Sequence, residues 1–285
     1  MKFVSYNIQY GIGQDGRFDP ERIARAVDGA DVIALQEVTR GFIRNGHADL
    51  VETFSSLFPA YFSAFGAASD VLVDHAMVEG RLRARRFQFG NMVLSRFPVV
   101  AVRNLLLPRA RTFDKLNLQR GALEAVIDAP GGAVRVYSVH LDHVSPDERM
   151  AQIRFLKARA NGFVDEGGAL TGASEFAVPD PALPADYLLM GDFNMEPEGP
   201  EYIAMVGQDD AFYGRVARAD RPIDAEAHLK KRPADGYSWI SPDGAVRKHL
   251  DYCFVSGGLV SRLKAAFVDN ETMASDHYPV WVELA

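Results

Sequence analysis

Cysteine is almost missing from this chain: Cys253 is the only one in 285 residues. No intrachain disulfide and no cysteine-built zinc cage is therefore possible. Long apolar runs are missing too, and nothing approaches the roughly 18 consecutive apolar residues of a membrane-crossing helix. The N-terminus has no charged-then-apolar leader, since Ser5 and Asn7 interrupt its first apolar stretch. The expectation is a cytoplasmic protein. A basic surplus is also lacking. The formal net charge is −7, which speaks against a general nucleic-acid binder. What remains is ordinary globular material, 48% hydrophobic and 24% charged, able to bury a sizeable core.

The charge is unevenly spread. Residues 81–120 hold ten Lys and Arg against one acid, Asp114, a formal +9 that leaves −16 on the other 245 residues. A solvated basic face is the plain explanation. The arginines at 81, 83, 85 and 86 become relevant only where a site lies near them.

Apolar runs place strands at residues 2–8, 31–38, 122–129, 133–141, 187–193, 249–256 and 279–284, with 91–107 as one strand bent at Pro98. Asp19-Pro20 opens a helix, the aspartate as N-cap and the proline in the first turn. Residues 146–162 read as an amphipathic helix and 199–207 as a shorter one. The Gly-, Pro- and Ala-rich stretch 163–186 reads as a flexible loop or insertion. With no composition shift and no internal repeat, residues 1–285 are expected to form one domain of stacked sheets flanked by helices.

The strand ends are unusual. "LLMGDFNMEP" (188–197) is a buried strand that delivers Asp192 and Asn194, two residues apart and so on one side of an extended backbone. A turn explains that stretch equally well by itself. Yet Asn7 closes the first strand, Glu37 closes "VIALQE", His140 closes "VYSVH", and Asp251 sits in "HLDYCFV". Asp276 and His277 precede the last strand in "SDHYPV". So many polar groups at equivalent positions favour a site over a series of turns.

These motifs in this order, "SYNI", "LQEV", "GNMVLSRFP", "SVHLD", "GDFNMEP", "LDYCFVS" and "SDHYPV", resemble the endonuclease/exonuclease/phosphatase family, which has a deoxyribonuclease I-like fold. The resemblance covers essentially the whole chain. It implies a four-layer α/β sandwich, two mixed β-sheets packed face to face with helices outside. It also places Glu37 and Asn7 at a metal, with Asp276 as a further contact. His140 and His277 correspond to a pair of phosphate-contacting histidines, and Asp251 to the acid that holds His277.

The residue types suit that chemistry independently. An all-oxygen ligand set without cysteine fits a hard cation such as Mg²⁺, with Mn²⁺ able to substitute. Asp192 is the candidate for orienting and deprotonating the attacking water, and Asn194 for holding a phosphoryl oxygen or that aspartate. His47, His75, His143, His228 and His249 have no motif context and read as surface or packing residues. "GIGQDG" (11–16) reads as a turn, and Cys253 as a buried small hydrophobe. Arg120 is left between two readings, a phosphate contact or a partner for an acid. The expected function is a metal-dependent phosphoesterase acting on a small or lipid-derived phosphoester. The alternatives are a DNA or RNA nuclease and an inactive binding module on the same fold.

Overall fold

A computed structural model describes all of residues 1–285. The chain opens with β1 (Lys2–Asn7), α1 (Pro20–Ala26), β2 (Val32–Arg40) and α2 (Leu50–Leu57). A long hairpin of β3 (Phe62–Val78) and β4 (Arg81–Ser95) follows, then β5 (Val99–Leu106), β6 (Gly121–Ala129) and β7 (Gly132–His140). Next come α3 (Pro146–Glu166), β8 (Tyr187–Asp192), α4 (Pro200–Val206), β9 (Ile223–Asp224) and α5 (Ala225–His228). The two-residue strands β10 (Trp239–Ile240) and β11 (Arg247–Lys248) lead into β12 (Asp251–Val255), β13 (Leu263–Val268) and β14 (Val280–Leu284).

Two six-stranded sheets result, ordered β13-β14-β1-β2-β4-β3 and β5-β6-β7-β8-β12-β9. Both are mixed, because β1 runs parallel to β2 and β7 parallel to β8 while their other pairs are antiparallel. Alternation along β2 shows the layering. Val32 and Ala34 join Leu123, Val136, Met190 and Cys253 in a core between the sheets. Ile33 and Leu35 point the other way, onto Ile23 of α1, Val27 just past its end, and Leu50 and Phe54 of α2. On the far side, Leu189 and Phe254 meet Ile153 and Leu156 of α3 and Tyr202 of α4. This is the four-layer sandwich, with Cys253 buried in its central core.

Several boundaries differ from the sequence reading, each for a local reason. Residues 91–107 are not one bent strand. The chain leaves the first sheet at Ser95 and enters the second at Val99, so Pro98 marks a crossing between sheets. The 146–162 helix runs on to Glu166, because Gly162 is tolerated inside it and the left-handed Gly167 ends it. Residues 163–186 are thus helix at their start, with a short 3₁₀ turn at 173–176. Glu37 does not close its strand: β2 continues to Arg40, and Glu37 sits in a bulge between Leu35 and Val38 at φ 61°.

Pairing registers set the site. Along the parallel pair, His140 lies opposite Asp192, and β12, antiparallel to β8, sets Asp251 opposite Asp192 from the other side. Gly191 permits this spacing, since a Cβ there would lie 1.9 Å from the Val139 carbonyl oxygen. The sheets are also cross-linked by buried polar groups just below. Gln36 Nε2 donates to Ser138 Oγ at 2.9 Å, and Asn91 Nδ2 donates to the Gly121 and Ser138 carbonyls.

Candidate active site

One cavity of about 710 Å³ opens where the two sheets meet at these strand ends. Glu37, His140, Asp192, Asn194, Asp276 and His277 line it, and Asn7 and Asp251 stand buried behind its wall. The structure therefore brings all eight sequence-derived site residues together, from six separate segments of the chain.

Asp192 is the hub. Asn7 Nδ2 donates to its Oδ2 at 3.1 Å, and the Asn194 backbone N–H donates to its Oδ1 at 2.9 Å. His140 Nε2 is 3.3 Å and His277 Nε2 is 3.7 Å from Oδ2. Burial alone would raise the pKa of this carboxyl, but the His277 charge and the His140 hydrogen bond hold it well below the usual carboxylate range. It is ionised at neutral pH. Asn194 sits at φ 49° with its side-chain amide donating to the Leu141 carbonyl, so its backbone rather than its amide touches Asp192.

His277 is fixed by Asp251, with Nδ1 2.8 Å from Oδ2. That oxygen also receives the Ser238 hydroxyl at 2.7 Å, and Ser238 Oγ in turn accepts the Leu250 and Asp251 backbone N–H groups. Burial would lower the imidazole pKa, but the Asp251 and Asp192 carboxylates raise it well above the ordinary value. The ring is an imidazolium. His140 is its opposite. Burial, reinforced by the neighbouring Arg120 charge, pushes it down to about 4, so it is neutral at pH 7.

Glu37 is the second carboxylate focus. Burial, with the Asp276 charge behind it, pushes its pKa up to about 7. Asn7 Nδ2 donates to Glu37 Oε1 at 3.3 Å, and Trp239 Nε1 donates to Asp276 Oδ2 at 3.2 Å. Two half-buried carboxylates that face one cavity and feel each other's charge favour a cation between them. The donor set fits: all oxygen, with Asn7 able to present its amide oxygen once the amide is turned over. Asp192, Asp251 and His277 also offer ligand atoms within 4.8 Å of one another, but the His277–Asp251 bond already uses two of those atoms.

Two residues reach the cavity that sequence reasoning left unused. Arg120 is buried, and its partners are imidazoles instead of carboxylates: Nη1 donates to His140 Nδ1 at 3.1 Å, which leaves the Nε2 proton for Asp192, and Nη2 donates to His143 Nδ1 at 2.7 Å. Its Nε has no partner, and the ring of Phe89 lies 5.9 Å from its Cζ. A guanidinium held this way is an anion receptor. His143 forms the adjoining wall. Its position three residues after His140 was the available signal. Of the basic run 81–120, only Arg120 lines the cavity. Arg86 and Arg85 are spent on Asp70 and Asp74 of the neighbouring strand, at 2.6 and 3.6 Å. His249 is no site residue but a buried ring against Tyr252, 3.3 Å from Glu226.

Comparison with known proteins agrees with this geometry. A sequence profile of the Endonuclease/Exonuclease/phosphatase family matches residues 4–277. No curated protein matches the sequence. Among solved structures, an endonuclease/exonuclease/phosphatase from Beutenbergia cavernae DSM 12333 superposes with a TM-score of 0.68 at 22% identity, covering 100% of this chain and 72% of its own. The mannosyl-6-phosphatase from Bacteroides thetaiotaomicron VPI-5482 gives 0.65 at 18% identity, covering 100% and 99%. D. rerio TDP2, complexed with a single-strand DNA product, gives 0.62 at 16% identity, covering 100% and 98%.

Proposed function

Because this chain belongs to the endonuclease/exonuclease/phosphatase family, we propose that it is a divalent-metal-dependent phosphoesterase, with residues 1–285 as one catalytic unit. Its substrate is a small or lipid-derived phosphoester. The observation that carries this reading is the pairing of an ionised Asp192, facing a cavity, with a buried Arg120 that has no carboxylate partner. One positions and deprotonates a water; the other receives the phosphoryl group the water attacks. Arg120 Nη atoms and the His277 imidazolium hold the non-bridging oxygens, so positive charge waits where negative charge builds in the transition state. Neutral His140 fixes the Asp192 carboxylate by hydrogen bonding without adding a competing charge. Glu37 and Asp276, with Asn7 behind Glu37, would hold Mg²⁺, which would supply charge neutralisation for the phosphoryl group. Mn²⁺ substitutes on the same oxygen ligands. A nucleic-acid substrate is less well supported, since the arginines that would track a backbone are paired or remote from the cavity.

The test is hydrolysis of bis-p-nitrophenyl phosphate, p-nitrophenyl phosphate, phospholipids and DNA with and without Mg²⁺. Turnover should require the metal. Asp192→Asn should lower kcat on the order of 10²-fold or more with a smaller change in KM. Glu37→Gln should lower metal affinity and activity while leaving the metal-free melting temperature nearly unchanged. Full turnover in excess EDTA would remove the metal from the reading.

A further inference from the structure

The β3–β4 hairpin is longer than the sheet needs. Residues 70–86 are all exposed, and from Phe87 to the turn at Gly80 the ribbon reaches roughly 24 Å at ~3.4 Å per residue. Its register pairs Met77 with Leu82 and Leu72 with Arg86. Alternation therefore gathers Leu72, Met77 and Leu82 on one face, while Arg81 and Arg83 share the other with Phe87 and Phe89. Leu72 is 52%, Met77 67% and Leu82 64% exposed. A free two-stranded ribbon is marginal in water, and one with large aliphatic side chains unpacked marks a contact surface.

The occupant follows from chemistry and place. Strand pairing with a second copy is disfavoured, because edge strand β3 is broken by two bulges and carries Asp70 and Asp74. The ribbon's own outward apolar residues are aliphatic and offer no ring for a base to stack on, and the exposed ring on the neighbouring loop, Phe113, already carries the Arg111 guanidinium 4.6 Å from its centre. The aliphatic residues suit hydrocarbon. Arg81 and Arg83 form no ion pair, unlike Arg85 and Arg86. The ribbon is rooted at the cavity through Phe89, and the loop at 108–119 has a similar composition on the same rim: Leu116 lines the cavity and is 70% exposed, and Phe113 is 85% exposed beside Arg111 and Lys115. Apolar tips flanked by cations are the composition of a membrane-interface element.

We propose that the β3–β4 ribbon and the 108–119 loop dock this protein on an anionic lipid surface, which brings the cavity to head-group phosphoesters. The docking stands on the surface alone; the identity of the substrate rests on the phosphoesterase reading above. Co-sedimentation with phosphatidylcholine vesicles, with and without phosphatidylserine, tests it. Binding should require phosphatidylserine and weaken with salt. Leu72→Ser, Met77→Ser and Leu82→Ser together should abolish it. Arg81→Ser with Arg83→Ser should weaken it about thirtyfold. Both variants should keep wild-type turnover of soluble bis-p-nitrophenyl phosphate. In Leu82→Trp the added indole emission should shift to the blue when vesicles are added. Absent vesicle binding, or an indole that stays in water, overturns the docking, as does arginine-dependent capture of single-stranded DNA in its place. Vesicle binding without turnover of any phosphoester leaves the docking and removes the hydrolytic reading; turnover without vesicle binding does the reverse.

Discussion

His277 owes its charge to Asp251 across a 2.8 Å contact, so the two should act as one group in kinetics. His277→Ala is expected to lower kcat on the order of 10²-fold, and Asp251→Asn less. The double variant should fall little below His277→Ala. Additive losses would give Asp251 a separate task. His249 makes a contrasting case outside the machinery. Burial pushes its pKa down to about 3, so the folded state excludes a proton that the unfolded chain binds below about pH 6.5. Its neutral form contributes stability that is full above pH 6.5 and lost as pH falls toward 3. Relative to wild type, His249→Phe should therefore gain about 1.4 kcal/mol per pH unit over that window in urea unfolding. The opposite slope would mean a charged His249 paired with Glu226. At this scale the sequence reveals the polar residues at strand ends, because each interrupts an apolar run. It leaves Arg120 between two readings and passes over His143, because their significance lies in contacts between groups 20 and 23 residues apart.

Among the elements, the parallel β7–β8 joint carries the most functional geometry for its size. Gly191→Ala would drive a Cβ against the Val139 carbonyl. It should cost ~1–3 kcal/mol in chemical denaturation and lower kcat as well, because the same joint sets His140 opposite Asp192. A variant with unchanged stability and activity would mean the strands separate freely there. The buried strands are legible because their apolar runs have a core to answer to. The outer ribbon is not: residues 70–86 have no buried face, so the short alternation Arg81-Leu82-Arg83-Ala84 answers to no core, and only Arg85 and Arg86 of the basic segment turn out to lie beside acids on the paired strand. Pro98 misleads for another reason, since a proline bend and a crossing between sheets leave the same local signal.

Across the whole molecule, the fold class is readable from strand and helix order, whereas the relation between the sheets is not. Asn7 and Glu37 belong to one sheet; His140, Asp192 and Asp251 belong to the other. Gln36, Ser138 and Asn91 bind the two sheets directly beneath them. These buried amides and hydroxyls lose their partners if one sheet slides on the other, at ~1–3 kcal/mol for each group left unsatisfied. The proposed catalytic centre is thus a seam, and it reports alignment. On heating, activity should vanish at the first slip of the seam, ahead of the far-ultraviolet circular dichroism of the strands. A cation held by Glu37 and Asp276 grips only the lip built by β1, β2 and the approach to β14, so it should add ~2.7 kcal/mol at a hundredfold excess over its Kd and yet leave the gap between the two melting curves open.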